Sequence, residues 1–155
     1  WQKNADTRLK TTRQRRVILL MTHYIETQLS AIPGDKSGPN PDPSAILSRT
    51  GINIKASKTA QPPEGFRFVA DRSSEAKTLL EENGFFVKTE PVIALQVNRE
   101  KGRLTQMTRS LMDAGICVDY VYPSLAGSRE TKQLILKVAN VPLASRVLTE
   151  LSRDS

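Results

Sequence analysis

The chain has 155 residues, 38% of them hydrophobic and 25% charged, with 23 Lys and Arg against 16 Asp and Glu for a net charge of +7. That length suits about one ordinary domain or two very small ones, and the apolar content is enough for a packed core. The longest apolar run, Val17–Met21, falls far short of the ~20 residues of a membrane span, and a single Cys and a single His argue against a disulfide framework, a His/Cys metal cage or a Cys-His catalytic pair. With no cleavable signal pattern, a reducing cytoplasm is the expected compartment.

The charge is uneven. Residues 1–20 carry Lys3, Arg8, Lys10, Arg13, Arg15 and Arg16 against Asp6 alone, a net +5 that leaves only +2 for the rest. This stretch has neither helical nor strand periodicity and is expected to be a disordered tail. Two readings stand: a basic arm that grips phosphates, or a terminal extension upstream of Met21. Beyond it the chain repeats. Sliding by 64 residues places 27–54 on 91–118 without a gap, with Gly38 on Gly102, Leu47 on Leu111, Gly51 on Gly115 and Ile52 on Ile116. Further on, an offset of 69 places Val69-Ala70 on Val138-Ala139, the five extra residues falling in the turn 124–130.

In chain order, residues 17–26 read as an edge strand, with a short helix at 15–25 as the competing structure. Pro39, Pro41 and Pro43 remove amide donors from the start of the next helix, which therefore begins near Pro43 with Asp42 as its cap and runs about two turns. GFRFVA (65–70) is a strand. Ser73 is expected to cap a helix that Gly84 stops, and FFVKT leads through Pro91 into the second copy. There VIALQVN (92–98) alternates as a half-buried strand. Leu104, Met107, Leu111 and Met112 recur at helical spacing up to Gly115. Val118, Tyr120 and Tyr122 are expected on one face of a second strand, with Cys117 as a small buried residue at its start. KQLILKVA (132–139) forms a hairpin with it, and Asn140 caps a last helix with Pro142 in its first turn.

The unit is βαββαβ, a ferredoxin-like α+β sandwich with an antiparallel sheet and helices on one face. The expected division is a tail (1–20), a first unit (21–90) and a second (91–155) that lacks a final strand; the segment around 17–26, in which Met21–Glu26 aligns with Phe85–Glu90, is the candidate to supply it. Units of this size bury little surface alone, so the two are expected to pair.

Two stretches, VNREKGRLTQMTRSLMDAGICVDY and the weaker PGDKSGPNPDPSAILSRTGINIKA, resemble the ACT domain, here in tandem across about residues 22–153. The resemblance implies a regulatory protein that binds an amino acid or similar small molecule between paired units, without catalysis or cofactor, as a homodimer and in contact with a regulated enzyme. It also implies that backbone amides of the loop ahead of a helix hold the ligand, with the start of the opposing unit's second strand facing them. In this chain the loop is Asn98, Arg99, Glu100, Lys101, Gly102, Arg103 and Leu104. The facing elements are Gly51, Ile52 and Asn53, with Gly115, Ile116 and Cys117 as counterparts; Gly38 ends the first copy's loop. Free amides and the positive end of a helix dipole favour a carboxylate, and glycine lets the backbone come close.

Other classes find less in the residues. No P-loop, GxSxG, HExxH or CxxC is present, and the carboxylates Asp71, Glu81, Glu82 and Glu90 form no recognisable acid/base pair. RNA-recognition domains share the topology but stack bases on exposed strand aromatics, and here only Phe66 and Phe68 lie on a third strand. Nucleic-acid binding therefore rests on the tail. A scaffold that pairs units without a ligand is the remaining alternative. His23, on the candidate edge strand, is expected to be solvated.

Overall fold

The computed structural model describes residues 21–34, 41–59, 65–98 and 103–154; the tail, Gly38 and Arg99–Gly102 lie outside the described residues. In chain order the elements are β1 (Met21–Pro33), α1 (Pro43–Arg49), β2 (Ile54–Thr59), β3 (Phe66–Ala70), α2 (Ser73–Glu82), β4 (Phe85–Asn98), α3 (Arg103–Asp113), β5 (Val118–Gly127), β6 (Thr131–Val138) and α4 (Val141–Asp154). No helix among them is long and apolar enough to cross a membrane.

Among the described residues every strand pairing is antiparallel, and the six strands close into a barrel in the order β1-β3-β2-β5-β6-β4. Two separate four-stranded sheets were the expectation, and the closed barrel corrects it. The cause is strand length. β1 and β4 pair continuously from Met21↔Val97 to Pro33↔Phe85, so Thr27–Pro33 lies beside the first copy's strands while Met21–Glu26 lies beside Val92–Val97 of the second. β2 and β5 meet at Ala56↔Ser124 and close the ring. Pro91 fits inside β4 because β6 pairs only with Ile93–Asn98; at Pro91 the strand has one neighbour, and a missing amide donor is tolerated there.

Strand alternation sorts side chains into three cores. Leu29, Ala31, Phe68, Ala70 and Phe85 point outward and are covered by Ile46 and Leu47 of α1 and Ala76 and Leu80 of α2. Ile93, Leu95, Val97, Leu134, Leu136 and Val138 point outward under Met107 and Leu111 of α3 and Ala144 and Leu148 of α4. Ala56, Val69, Val92, Ala94, Tyr122 and Ile135 fill the barrel itself, with Tyr120 packed against them. Gln28 is also sealed inside, at 0% exposure. Its Nε2 donates to the Tyr120 hydroxyl at 2.7 Å, and its Oε1 accepts from the Tyr122 hydroxyl at 2.7 Å. A buried carboxamide costs little only when satisfied in this way.

Helix starts follow the local chemistry in most places. Asp42 caps α1 by accepting from Ser44 N at 3.1 Å, Asn140 accepts from Leu143 N at 3.1 Å, and caps of this kind contribute about 1 kcal/mol each. Ser73 does not cap α2: the capping position is Arg72, which makes no side-chain cap bond and instead pairs with Glu75 at 3.0 Å.

Five further expectations are corrected. The later part of the repeat superimposes at 68 residues rather than 69, since Phe68 and Leu136, Ala76 and Ala144, and Leu80 and Leu148 occupy matching core positions; a one-residue slip would turn every strand side chain to the wrong face. Val118, Tyr120 and Tyr122 do not share a face. A register shift between Val118 and Tyr120 leaves Val118 under the helices and turns both tyrosines into the barrel. The same shift occurs in the first copy between Ile54 and Ala56. Met112 is 65% exposed rather than part of the core, and Cys117 is exposed. His23 is not solvated but half-buried, with Nε2 2.8 Å from Ser145 Oγ.

Candidate functional site

The predicted ligand-binding residues fall into two groups. Asn98 ends β4 opposite Thr131, with its Oδ1 buried. Arg103 opens α3, and Leu104 packs against the second helix-covered core. The loop between them, Arg99, Glu100, Lys101 and Gly102, lies outside the described residues, as does Gly38. The facing group forms the step from helix to strand in each copy. Gly51 and Gly115 both have φ of 80°, the left-handed conformation that ends a helix at low cost only with glycine. The residue after each turns inward: Ile52 N donates to Leu47 O at 3.0 Å and Ile116 N to Leu111 O at 2.9 Å, and both side chains are buried.

Local contacts hold the first step more tightly than the second. Asn53 N donates to Asp71 Oδ1 and its carbonyl accepts from Asp71 N, both at 3.1 Å. Arg72 Nη2 donates to the Gly51 carbonyl at 2.7 Å. In the second copy Ala139 N donates to the Cys117 carbonyl at 3.1 Å, and alanine and Asn140 stand where Asp71 and Arg72 do. Ile52 and Asn53 line an open depression of about 490 Å³ with Asp42, Ser44 and Ser48.

The barrel decides which of these residues lie near one another. β2 leaves its Gly51–Asn53 step and meets β5 at Ala56↔Ser124; β5 ends at Gly127 opposite Lys132; the next residue, Thr131, pairs with Asn98. The end of β4 at Asn98 and the Gly51–Asn53 step therefore lie at the same end of the barrel. Gly115, Ile116 and Cys117 do not join them. Val118 pairs with Val138, at the far end of β6 from Thr131.

At that far end is a polar cavity of about 560 Å³ that the sequence reading missed, lined by Ser30, Ile32, Arg67, Lys88, Glu90, Asp119, Tyr120 and Lys137. Lys88 Nζ is 2.9 Å from Glu90 Oε1, and this hydrogen bond raises the lysine pKa. Burial, reinforced by neighbouring Tyr120, raises the pKa of Tyr122 beneath. The available signal was alternation: Ser30 and Ile32 share a strand face with buried Gln28. It becomes readable only once barrel closure makes that face an interior. No cluster of His, Cys, Asp and Glu among the described residues has the makings of a metal site.

Fold and site together define two βαββα repeats, β1-α1-β2-β3-α2 and β4-α3-β5-β6-α4, joined in one barrel, each with a glycine step from its first helix into its second strand. The family model described as an ACT domain pair matches residues 23–152, and the chain belongs to that family. Among solved structures it is similar to protein BT0572 from Bacteroides thetaiotaomicron, with 22% identity, a TM-score of 0.71, and coverage of 83% of this chain and 89% of that one. It is also similar to the ligand-free regulatory subunit of aspartate kinase from Thermus thermophilus, with 16% identity, a TM-score of 0.54, and coverage of 84% and 95%. The alpha and beta subunits of an aspartokinase give 17% identity, a TM-score of 0.58, and coverage of 90% and 97%. No curated protein matches the chain.

Proposed function

We propose that this ACT domain pair is a non-enzymatic regulatory protein that binds an amino acid or similar small molecule, with Asn98–Leu104 and the Gly51–Asn53 step as its binding residues. The observation that carries the reading is their common placement: the end of β4 in one copy and the start of β2 in the other open at one end of a closed barrel. A ligand bridging both copies would shift the balance between two arrangements of the pair by its differential affinity for them. The similarity to regulatory subunits of aspartate kinase supports an enzyme as the partner that reads this change, with a homodimer as the working form. The test is thermal unfolding of the full chain with each amino acid at millimolar concentration, because a ligand that binds the native state raises its stability. One or a few amino acids are expected to raise the midpoint, and Gly102→Val to abolish the rise. If no amino acid raises it, the reading fails; if Gly102→Val keeps the whole shift, that loop is not the site.

A ligand-free scaffold is the second reading. The observation in its favour is that Asp71 and Arg72 already occupy the backbone groups of Gly51 and Asn53. Base stacking on a sheet face has no support among the described residues. Phe68 is 0% exposed, Phe66 stacks on it with ring centroids 5.4 Å apart, and barrel closure leaves no open sheet face for a nucleic acid.

A further inference from the structure

The glycine step from first helix to second strand has the same backbone in both copies, but the first copy covers it with charged side chains of its own. The Asn53 amide donates to Asp71 Oδ1 at 3.1 Å, and the Gly51 carbonyl accepts from Arg72 Nη2 at 2.7 Å. The two side chains are neighbours, with Arg72 Nε 3.9 Å from Asp71 Oδ1. A carboxylate therefore sits on a backbone donor and a cation on a nearby backbone acceptor, side by side. That is the charge pattern of a free amino acid, whose carboxylate and ammonium are held close together.

The second copy keeps the backbone and changes the side chains. Gly115 repeats the φ of 80° found at Gly51, and Ala139 N donates to the Cys117 carbonyl as Asp71 N does to that of Asn53, each at 3.1 Å. Ala139 has no carboxylate, and Asn140 turns its Oδ1 to Leu143 N at 3.1 Å. The same step thus forms without a carboxylate or guanidinium on it. Nor does α2 gain a cap from Arg72, which makes no side-chain cap bond. Both side chains are reached by solvent, Asp71 at 40% and Arg72 at 43% exposure, so a solute can compete for the backbone groups they hold.

We infer that Asp71 and Arg72 are an internal ligand of the Gly51–Asn53 step, standing in for the carboxylate and ammonium of an amino acid that displaces them when it binds. The inference rests on the amino-acid reading for the identity of the competitor, and it adds the regulation of that site. A tethered group competes at an effective concentration on the order of millimolar, and both contacts are charge-assisted. The step therefore answers only to a ligand abundant at that level.

The test gives the first copy the residues of the second, Asp71→Ala together with Arg72→Asn, in the full chain. Asparagine is a good helix cap, so this variant is expected to fold. Amide proton–nitrogen NMR spectra are followed as glycine, the smallest zwitterion, or sodium acetate, a carboxylate alone, is added at constant ionic strength. The double variant is expected to show saturable shifts of the Gly51–Asn53 amides with both probes, at concentrations about tenfold or more below those the parent needs. Arg72→Asn alone uncovers only the carbonyl, so it strengthens glycine and leaves acetate no stronger than in the parent; it also serves should the double variant not fold. The inference is overturned if the double variant responds to neither probe more strongly than the parent, or if Arg72→Asn strengthens acetate as much as glycine. If no amino acid raises the unfolding midpoint of parent or double variant, the amino-acid reading fails by itself. A shift of the Asn53 amide with acetate in the double variant then still supports Asp71 as the internal ligand of a carboxylate, and its absence overturns that too.

Discussion

His23 shows how little of a residue's environment a single strand position reveals. Its ring lies between β1 and α4 with Nε2 on Ser145 Oγ, and burial lowers its pKa below the ordinary 6.5. The folded state therefore prefers the neutral ring. In the unfolded chain the ring takes up a proton near pH 6.5, so the stabilisation is fully present above that pH and is lost as pH falls through 6.5 toward the folded value. The chain has one histidine, so nothing else of this type confounds the measurement. The urea midpoint is expected to fall between about pH 7 and pH 5, and His23→Gln to flatten the profile; equal slopes for both proteins would contradict this account. From sequence, the edge-strand position suggested solvent. The helix that covers it starts more than a hundred residues later, a contact that no local pattern reports.

At the scale of elements, glycines divide by what surrounds them. Gly115 has φ of 80° and nothing within 4 Å of the position a Cβ would take, so Gly115→Ala pays only for a left-handed alanine, about 1 kcal/mol. Gly65, at φ of 70°, would drive a Cβ into the Ala31 carbonyl oxygen, and Gly65→Ala is expected to cost at least ~3 kcal/mol by chemical denaturation. Similar losses for both variants would refute the steric argument. Helix and strand positions were readable because their periods are strong: Leu104, Met107 and Leu111 mark α3, and Asp42 and Asn140 mark helix starts. The bulges at Lys55 and Asp119 were not. Each adds one residue to a strand without changing its apolar character, so Val118, Tyr120 and Tyr122 look like one alternating face until pairing shows that they are two. The offset of 69 in place of 68 has a different source: Val69-Ala70 and Val138-Ala139 match in identity, but Ala70 and Val138 are the two that lie on the helix-covered face. The glycine steps of the candidate site were plain in the sequence; the polar cavity at the far end was not, because Arg67, Lys88 and Lys137 come from three strands that meet only through the closure.

For the whole molecule, the repeat was legible and the way its copies are joined was not, since no sequence pattern says whether two sheets stay apart or share strands. Sharing β1 and β4 ties the copies into one ladder, so they are expected to unfold together. Removing residues 1–26 takes away the partner of Val92–Val97, and the second copy should melt well below the parent, while the parent itself shows one transition by both circular dichroism and tyrosine fluorescence. A parent with two separate transitions would contradict the shared ladder. The same ladder has a consequence in time. Met21–Glu26 leaves the ribosome some seventy residues before Val92–Val97 exists, roughly 4–14 s at ordinary synthesis rates. Until then its amides and carbonyls on that side face solvent as an open edge, able to pair with a neighbouring nascent chain. That edge is closed only once about seventy further residues have been made.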